Sequence, residues 1–94
     1  MTTILHDKEK FYRDLLRPFE GTNNYWNQLA YLGKYSVLVD RIYQIDKDTL
    51  QIEFFVSTDV KDIGTVLYDF HNRTNMECVA TFNGVHMSVR KYGA

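Results

Sequence analysis

Two residues, Asn83 and Gly84, constrain this chain more than any others. A two-residue hairpin turn of type I′ needs positive φ at both central positions, and Asn-Gly meets that demand at the least steric cost. The flanking residues alternate. Counting outward by twos from Phe82 and Val85 places Cys78, Ala80, Phe82, Val85, Met87 and Val89 on one face, and Glu77, Thr81, His86, Ser88 and Arg90 on the other. Turn chemistry and binary pattern therefore agree on a C-terminal hairpin with one buried face. An isolated hairpin is marginal in water, so the rest of the chain must supply more sheet and a cover for it.

The periodicity upstream predicts those parts. Residues 7–17 read as a helix: Asp7 is a suitable cap, Phe11, Leu15 and Leu16 recur at helical spacing with Tyr12 beside them, and Pro18 ends it. Thr22 or Asn23 caps a second short helix. It carries Trp26, Leu29, Ala30 and Leu32 toward the core and stops at Gly33. From residue 35 the β-branched run Val37, Val39, Ile42, Ile45 (with Leu38) favours a strand over 35–45. Asp46-Lys47-Asp48 is a turn, and Leu50, Ile52, Phe54 and Val56 alternate with polar residues in a second strand, Phe55 breaking the wet face. A third helix opens at Ser57–Asp59, buries Val60, Ile63, Val66, Leu67 and Phe70, and ends at His71-Asn72. The expected order is α-α-β-β-α-β-β. The expected fold is α+β: a four-stranded antiparallel sheet made of two hairpins, with helices packed on one face, in a single domain spanning residues 1–94.

Composition narrows the function classes. The 94 residues carry eleven basic and twelve acidic side chains, mixed without runs, for a net charge of −1. That balance offers neither the basic stripe that phosphate neutralisation uses nor the carboxylate excess of a nucleic-acid mimic. The N-terminal residues lack the apolar core of a signal peptide, and no apolar run approaches the ~20 residues that span a bilayer. With one cysteine there is no internal disulfide. The expected location is the cytoplasm.

Candidate chemistry is sparse. His6, His71 and His86 lie in a terminal segment, at a helix end and on a polar strand face, with no i,i+4 pair of the kind that binds a metal. Cys78 falls on the apolar face of the hairpin, opposite His86, where a thiol is a small core residue rather than a nucleophile. Asp40, Arg41 and Glu53 read as a cross-strand ion pair, Asp46 and Asp48 as turn residues, and the separated glycines make no phosphate loop. The reading predicts no catalytic residue, cofactor or metal. One feature is in surplus: seven Tyr, six Phe and one Trp, 15% of the chain. Trp26 is expected in the core. Tyr25, Tyr31, Tyr35, Tyr43 and Phe55 are the candidate interface residues, because tyrosine rings with a polar tip suit protein contacts and Phe55 is an apolar ring on the wet strand face.

The segment His71-Asn72-Arg73-Thr74-Asn75, followed by Val79-Ala80-Thr81-Phe82 and Asn83-Gly84-Val85, resembles the C-terminal part of small accessory proteins of tailed bacteriophages and prophages. The resemblance covers about twenty residues and rests chiefly on the hairpin. It implies a non-catalytic protein that binds a host or phage protein. Together with the aromatic surplus, it leads to the expectation of a small protein-interaction module, with a second copy of the chain among the candidate partners. Two alternatives stand beside it. One is a nucleic-acid-associated protein using the polar sheet face, with Arg41, Arg90 and Lys91 near Tyr43 and Phe55. The other is an enzyme with a cleft that the sequence does not reveal.

Overall fold

The computed structural model describes residues 3–82 and 85–89. The chain begins with a two-residue strand, β1 (Ile4–Leu5), and helix α1 (Lys8–Leu16). Asp7 caps α1 as its sequence position suggests: the backbone N–H groups of Glu9 and Lys10 donate to its carboxylate at 3.0 and 3.3 Å. Pro18 sits at the start of a 3₁₀ turn, Arg17–Phe19, where its missing N–H leaves no bond unmade.

Helix α2 (Tyr25–Leu38) departs from the sequence expectation. Neither Thr22 nor Asn23 is its cap residue; that position is Asn24, whose side chain makes no capping bond. Nor does the helix stop at Gly33. Gly21 has positive φ (77°), but Gly33 keeps ordinary helical geometry and continues the helix for five more residues, over stretch 34–38, where propensity alone favours a strand. Two contacts from elsewhere override that propensity. Tyr35 packs edge-on against Phe70, with ring centroids 6.0 Å apart. The Lys8 ammonium donates to the carbonyls of Ser36 (3.2 Å) and Val39 (2.7 Å), so a residue of α1 satisfies the carbonyl end of α2.

Strand β2 (Val39–Asp46) follows directly and pairs antiparallel with β3 (Thr49–Phe54). Irregularities between Val39 and Arg41 and between Gln44 and Asp46 each insert one residue. As a result Val39 and Ile42 both reach the core, whereas Arg41 and Tyr43 face outward. The antiparallel pairing of the first hairpin is as expected, but its first strand starts at Val39 rather than residue 35 and β3 ends at Phe54. Val56, expected in the strand and buried, lies in an exposed turn after the Phe55 N–H has bonded to the Leu38 carbonyl.

Helix α3 (Val60–Thr74) buries Ile63, Val66, Leu67 and Phe70, while Val60 at its first turn is half exposed. It runs past His71-Asn72 and ends where Asn75 adopts the left-handed conformation (φ 59°), one that asparagine tolerates. Strands β4 (Glu77–Phe82) and β5 (Val85–Val89) form the C-terminal hairpin, with Phe82 opposite Val85 as predicted; the Asn83-Gly84 turn itself lies outside the described residues.

The sheet is where the expected architecture changes most. Among the described residues it has five strands in the order β1-β2-β3-β4-β5, and it is mixed rather than antiparallel, because β3 and β4 run parallel. The cause is geometric. Fifteen helical residues span roughly 22 Å and six strand residues roughly 20 Å, so α3 returns the chain to the end of the sheet where β3 began. Strand β4 then starts beside Thr49: the Glu77 N–H donates to the Asp48 carbonyl at 2.8 Å, and Leu50 lies opposite Cys78.

All three helices contribute to one core against the sheet face that presents Val39, Ile42, Leu50, Ile52, Cys78 and Ala80. Its centre is Phe70, which is fully buried. Phe11 and Tyr12 from α1 approach its ring edge-on at 5.5 and 5.9 Å, as Tyr35 does from α2. Each tilted pair contributes about 0.5–1.5 kcal/mol beyond the burial of its area. Truncating Phe70 to Ala removes all three at once and opens a cavity, so the expected loss is about 3–5 kcal/mol. That is a large share of the stability of a domain this size, and it is measured as a lower urea midpoint followed by circular dichroism.

Candidate functional site

Among the described residues, Cys78, His71, His6 and Arg73 each have a structural contact. Cys78 is fully buried. Its thiol donates to the Met76 carbonyl at 3.6 Å, and burial pushes its pKa from about 9 up to about 12. Burial keeps the thiol protonated through the neutral range, which disfavours the reactive thiolate. His71 donates from Nδ1 to the Met76 carbonyl at 2.8 Å, closing the joint between α3 and β4, and His6 bonds the Gln44 side chain at 3.0 Å. The side chain of His86 lies outside the described residues. Among the described residues, no group of three or more His, Cys, Asp or Glu side chains is arranged to hold a metal ion. Arg73 is held by the Asp69 carboxylate at 2.7 Å, by the Gln28 side-chain oxygen and by the Phe19 ring, and so ties α3 to α2. Burial, and next the Asp69 charge, raise the pKa of the adjoining Tyr35.

The candidate interface rings do not gather in one place. Tyr31 is half exposed on α2, with the Lys34 ammonium 5.8 Å from its ring centre. Tyr25 is half-buried and packs on Trp26 at 5.4 Å, and Tyr35 is half-buried on Phe70. Tyr43 lies on the outward sheet face, where its hydroxyl accepts from Arg41 at 3.4 Å. Glu53 is opposite Arg41 in register. Phe55 has left the sheet and lies under Lys8, 5.8 Å from its ammonium.

The surface that stands out is a different one. Trp26, expected in the core, is 72% exposed, and Val37 is 74% exposed. Both belong to α2, whose buried residue is Leu32, and Ala30 and Gly33 between them are also exposed. At 100° per residue these four positions fall within an arc of roughly 60° and extend about 16 Å along the axis. Helix α2 therefore has two apolar faces. One is formed by Leu32 with Tyr25, Tyr35 and Leu38 and packs inward; the other is presented to solvent. On one side of the outward stripe a groove of about 410 Å³ separates α2 from α1, lined by Lys8, Glu9, Tyr12, Leu29, Gly33 and Ser36 among others.

The signal for this stripe was in the sequence: apolar or small residues at 26, 30, 33 and 37. It goes unseen once the helix is ended at Gly33, because Val37 then belongs to a strand and Trp26 inherits the only apolar face. Compared with known proteins, the chain matches no family model, and no curated protein or solved structure is significantly similar to it. Among the described residues, no helix is long and apolar enough to cross a membrane.

Tyr12 and Cys78 together set an alkaline limit. Among the described residues the buried Tyr12 hydroxyl has no hydrogen-bond partner, and burial raises its pKa well above the ordinary phenol value. Both groups are favoured neutral in the folded state, and the unfolded chain ionises first. Stability is therefore fully present below about pH 9 and falls as pH rises from there through the folded pKa values. In urea titrations at pH 7–11, Tyr12→Phe is expected to flatten the fall above about pH 10. It should also raise stability at neutral pH, by up to about 1–2 kcal/mol, because it removes an unsatisfied buried hydroxyl.

Proposed function

We propose that the chain is a small non-enzymatic protein-interaction module and that the outward stripe of α2 is its docking surface. The observation that carries this reading is the exposure of Trp26 beside Ala30, Gly33 and Val37 on a regular, well-anchored helix. Taking roughly 250 Å² for a whole indole side chain, Trp26 leaves on the order of 180 Å² in water. Tryptophan is among the residues most enriched where binding energy concentrates, and a rigid helix presents it with little loss of entropy on binding. Helix α2 is fixed beneath the stripe by Lys8, by the Tyr35–Phe70 contact and by the Arg73–Gln28 bond, so the surface is built on the domain's core rather than on a loop. The resemblance of the C-terminal third to phage accessory proteins is in keeping with a binding role and a cytoplasmic setting.

The test is capture from lysate of the native cell on the immobilised protein, with Trp26→Ala/Val37→Asp as comparison. Both positions are exposed, so the variant should keep the parent's circular dichroism and urea midpoint to within about 0.5 kcal/mol. Proteins retained by the parent and lost by the variant are the expected result. Equal retention by both would overturn the assignment of the surface. Enrichment of nucleic acid in place of protein would shift the function to the outward sheet face, where Arg41 and Tyr43 adjoin.

A further inference from the structure

The outward stripe of α2 has a symmetry that says what fits it. Its members are spaced by four, three and four residues: Trp26, Ala30, Gly33, Val37. Reversing the helix about the point between Tyr31 and Leu32 exchanges 26 with 37 and 30 with 33, so large residues remain at the ends and small ones at the centre. A second α2 laid antiparallel across a two-fold axis at that point sets Trp26 of each copy against Val37 of the other. It sets Ala30 of each against Gly33 of the other. The four-three alternation is that of the a and d positions at a helix-helix seam, and the small central pair lets the axes approach closely. A parallel arrangement would stack two indoles at one end and leave two glycines facing each other further along.

We infer that this stripe is a self-association surface, occupied by α2 of a second copy of the chain in antiparallel register. The inference rests on the docking reading above and specifies the partner. A two-fold contact requires a patch complementary to itself, which this pattern is. Charge agrees with the register. The stripe carries none, and Lys34 on its flank is displaced from Lys34 of the second copy by about 7 Å along the axis rather than facing it. Trp26 of the second copy arrives over Val37, at the Ser36 end of the groove between α1 and α2. The stripe and its flanks expose on the order of 500 Å² per copy, so pairing buries on the order of 1,000 Å², the size of a specific but weak and reversible contact.

Sedimentation equilibrium on the purified protein from about 1 µM to about 1 mM covers the range in which so small an interface dissociates. A monomer–dimer equilibrium is expected. The emission of Trp26, the single tryptophan, should shift to the blue as concentration rises. Gly33→Arg places a better helix former at an exposed position where an added Cβ meets nothing within 4 Å, so the fold is expected to be kept while the seam is blocked. It should weaken self-association at least about tenfold, as should Ala30→Glu at the facing position. Orientation is read from Trp26→Cys and Val37→Cys: mixed, they should form an inter-chain disulfide, and neither should cross-link to itself, the native Cys78 being buried.

A monomer over the whole range overturns the inference, as does a dimer indifferent to both Gly33→Arg and Ala30→Glu. Self-cross-linking of Trp26→Cys overturns the antiparallel register. These outcomes separate from those of the docking reading. A monomer whose captured proteins vanish with Trp26→Ala/Val37→Asp keeps the docking surface and loses the self-pairing. A seam-dependent dimer whose captured proteins are unchanged by that variant keeps the self-pairing and loses a foreign partner at this face.

Discussion

The domain depends on one side chain that three helices share. Phe70 receives rings from α1 and α2 and is itself carried by α3, so the position of each helix is fixed relative to the other two by a single buried residue. A thin core makes such sharing necessary. At this length the buried volume is small, and edge-on ring packing gives direction as well as area. The polar ties follow from it. Lys8 reaches the carbonyl end of α2 once α1 has docked beside Phe70, and Arg73, one turn beyond Phe70 on α3, meets Gln28 and Phe19.

What the sequence made legible is what is locally determined. Asp7 at the start of α1, the apolar stripe Ile63–Val66–Leu67–Phe70, the alternation of Leu50 and Ile52 and the pairing of Phe82 with Val85 each depend on residues within a few positions of one another. What it hid depends on distant ones. The stretch 34–38 is helical because Lys8 and Phe70, some thirty residues away on either side, hold it so. The parallel pairing of β3 with β4 depends on the length of α3 matching that of the strand, which no local pattern expresses. Two hairpins joined by a helix admit both an antiparallel and a parallel junction, and only the exit point of the helix decides between them.

The candidate surface was hidden by the same error. Extending α2 past Gly33 converts one apolar face into two, and Trp26 moves from filling the core to facing water. The interface rings expected from composition, Tyr25, Tyr35 and Tyr43, are half-buried because the core and the sheet use their apolar bodies. The aromatic surplus counts rings, and says nothing of which of them the fold leaves in water. The informative quantity was the mismatch between the apolar perimeter of α2 and the one strip of it that the core covers.

The joint between β3 and β4 carries a dynamic consequence. The C-terminal hairpin adjoins the rest of the sheet through three register pairs, Thr49–Glu77, Leu50–Cys78 and Gln51–Val79, and through the seating of Cys78 and Ala80 under α3. Helix α3 covers that hairpin, and α2 packs on β2 of the first one. Among the described residues β5 is an edge strand and β3 the central one, so β5 is expected to open at lower free energy than β3. Amide hydrogens of β5 are then expected to exchange with solvent through that partial opening, and those of β3 through the opening of the whole domain.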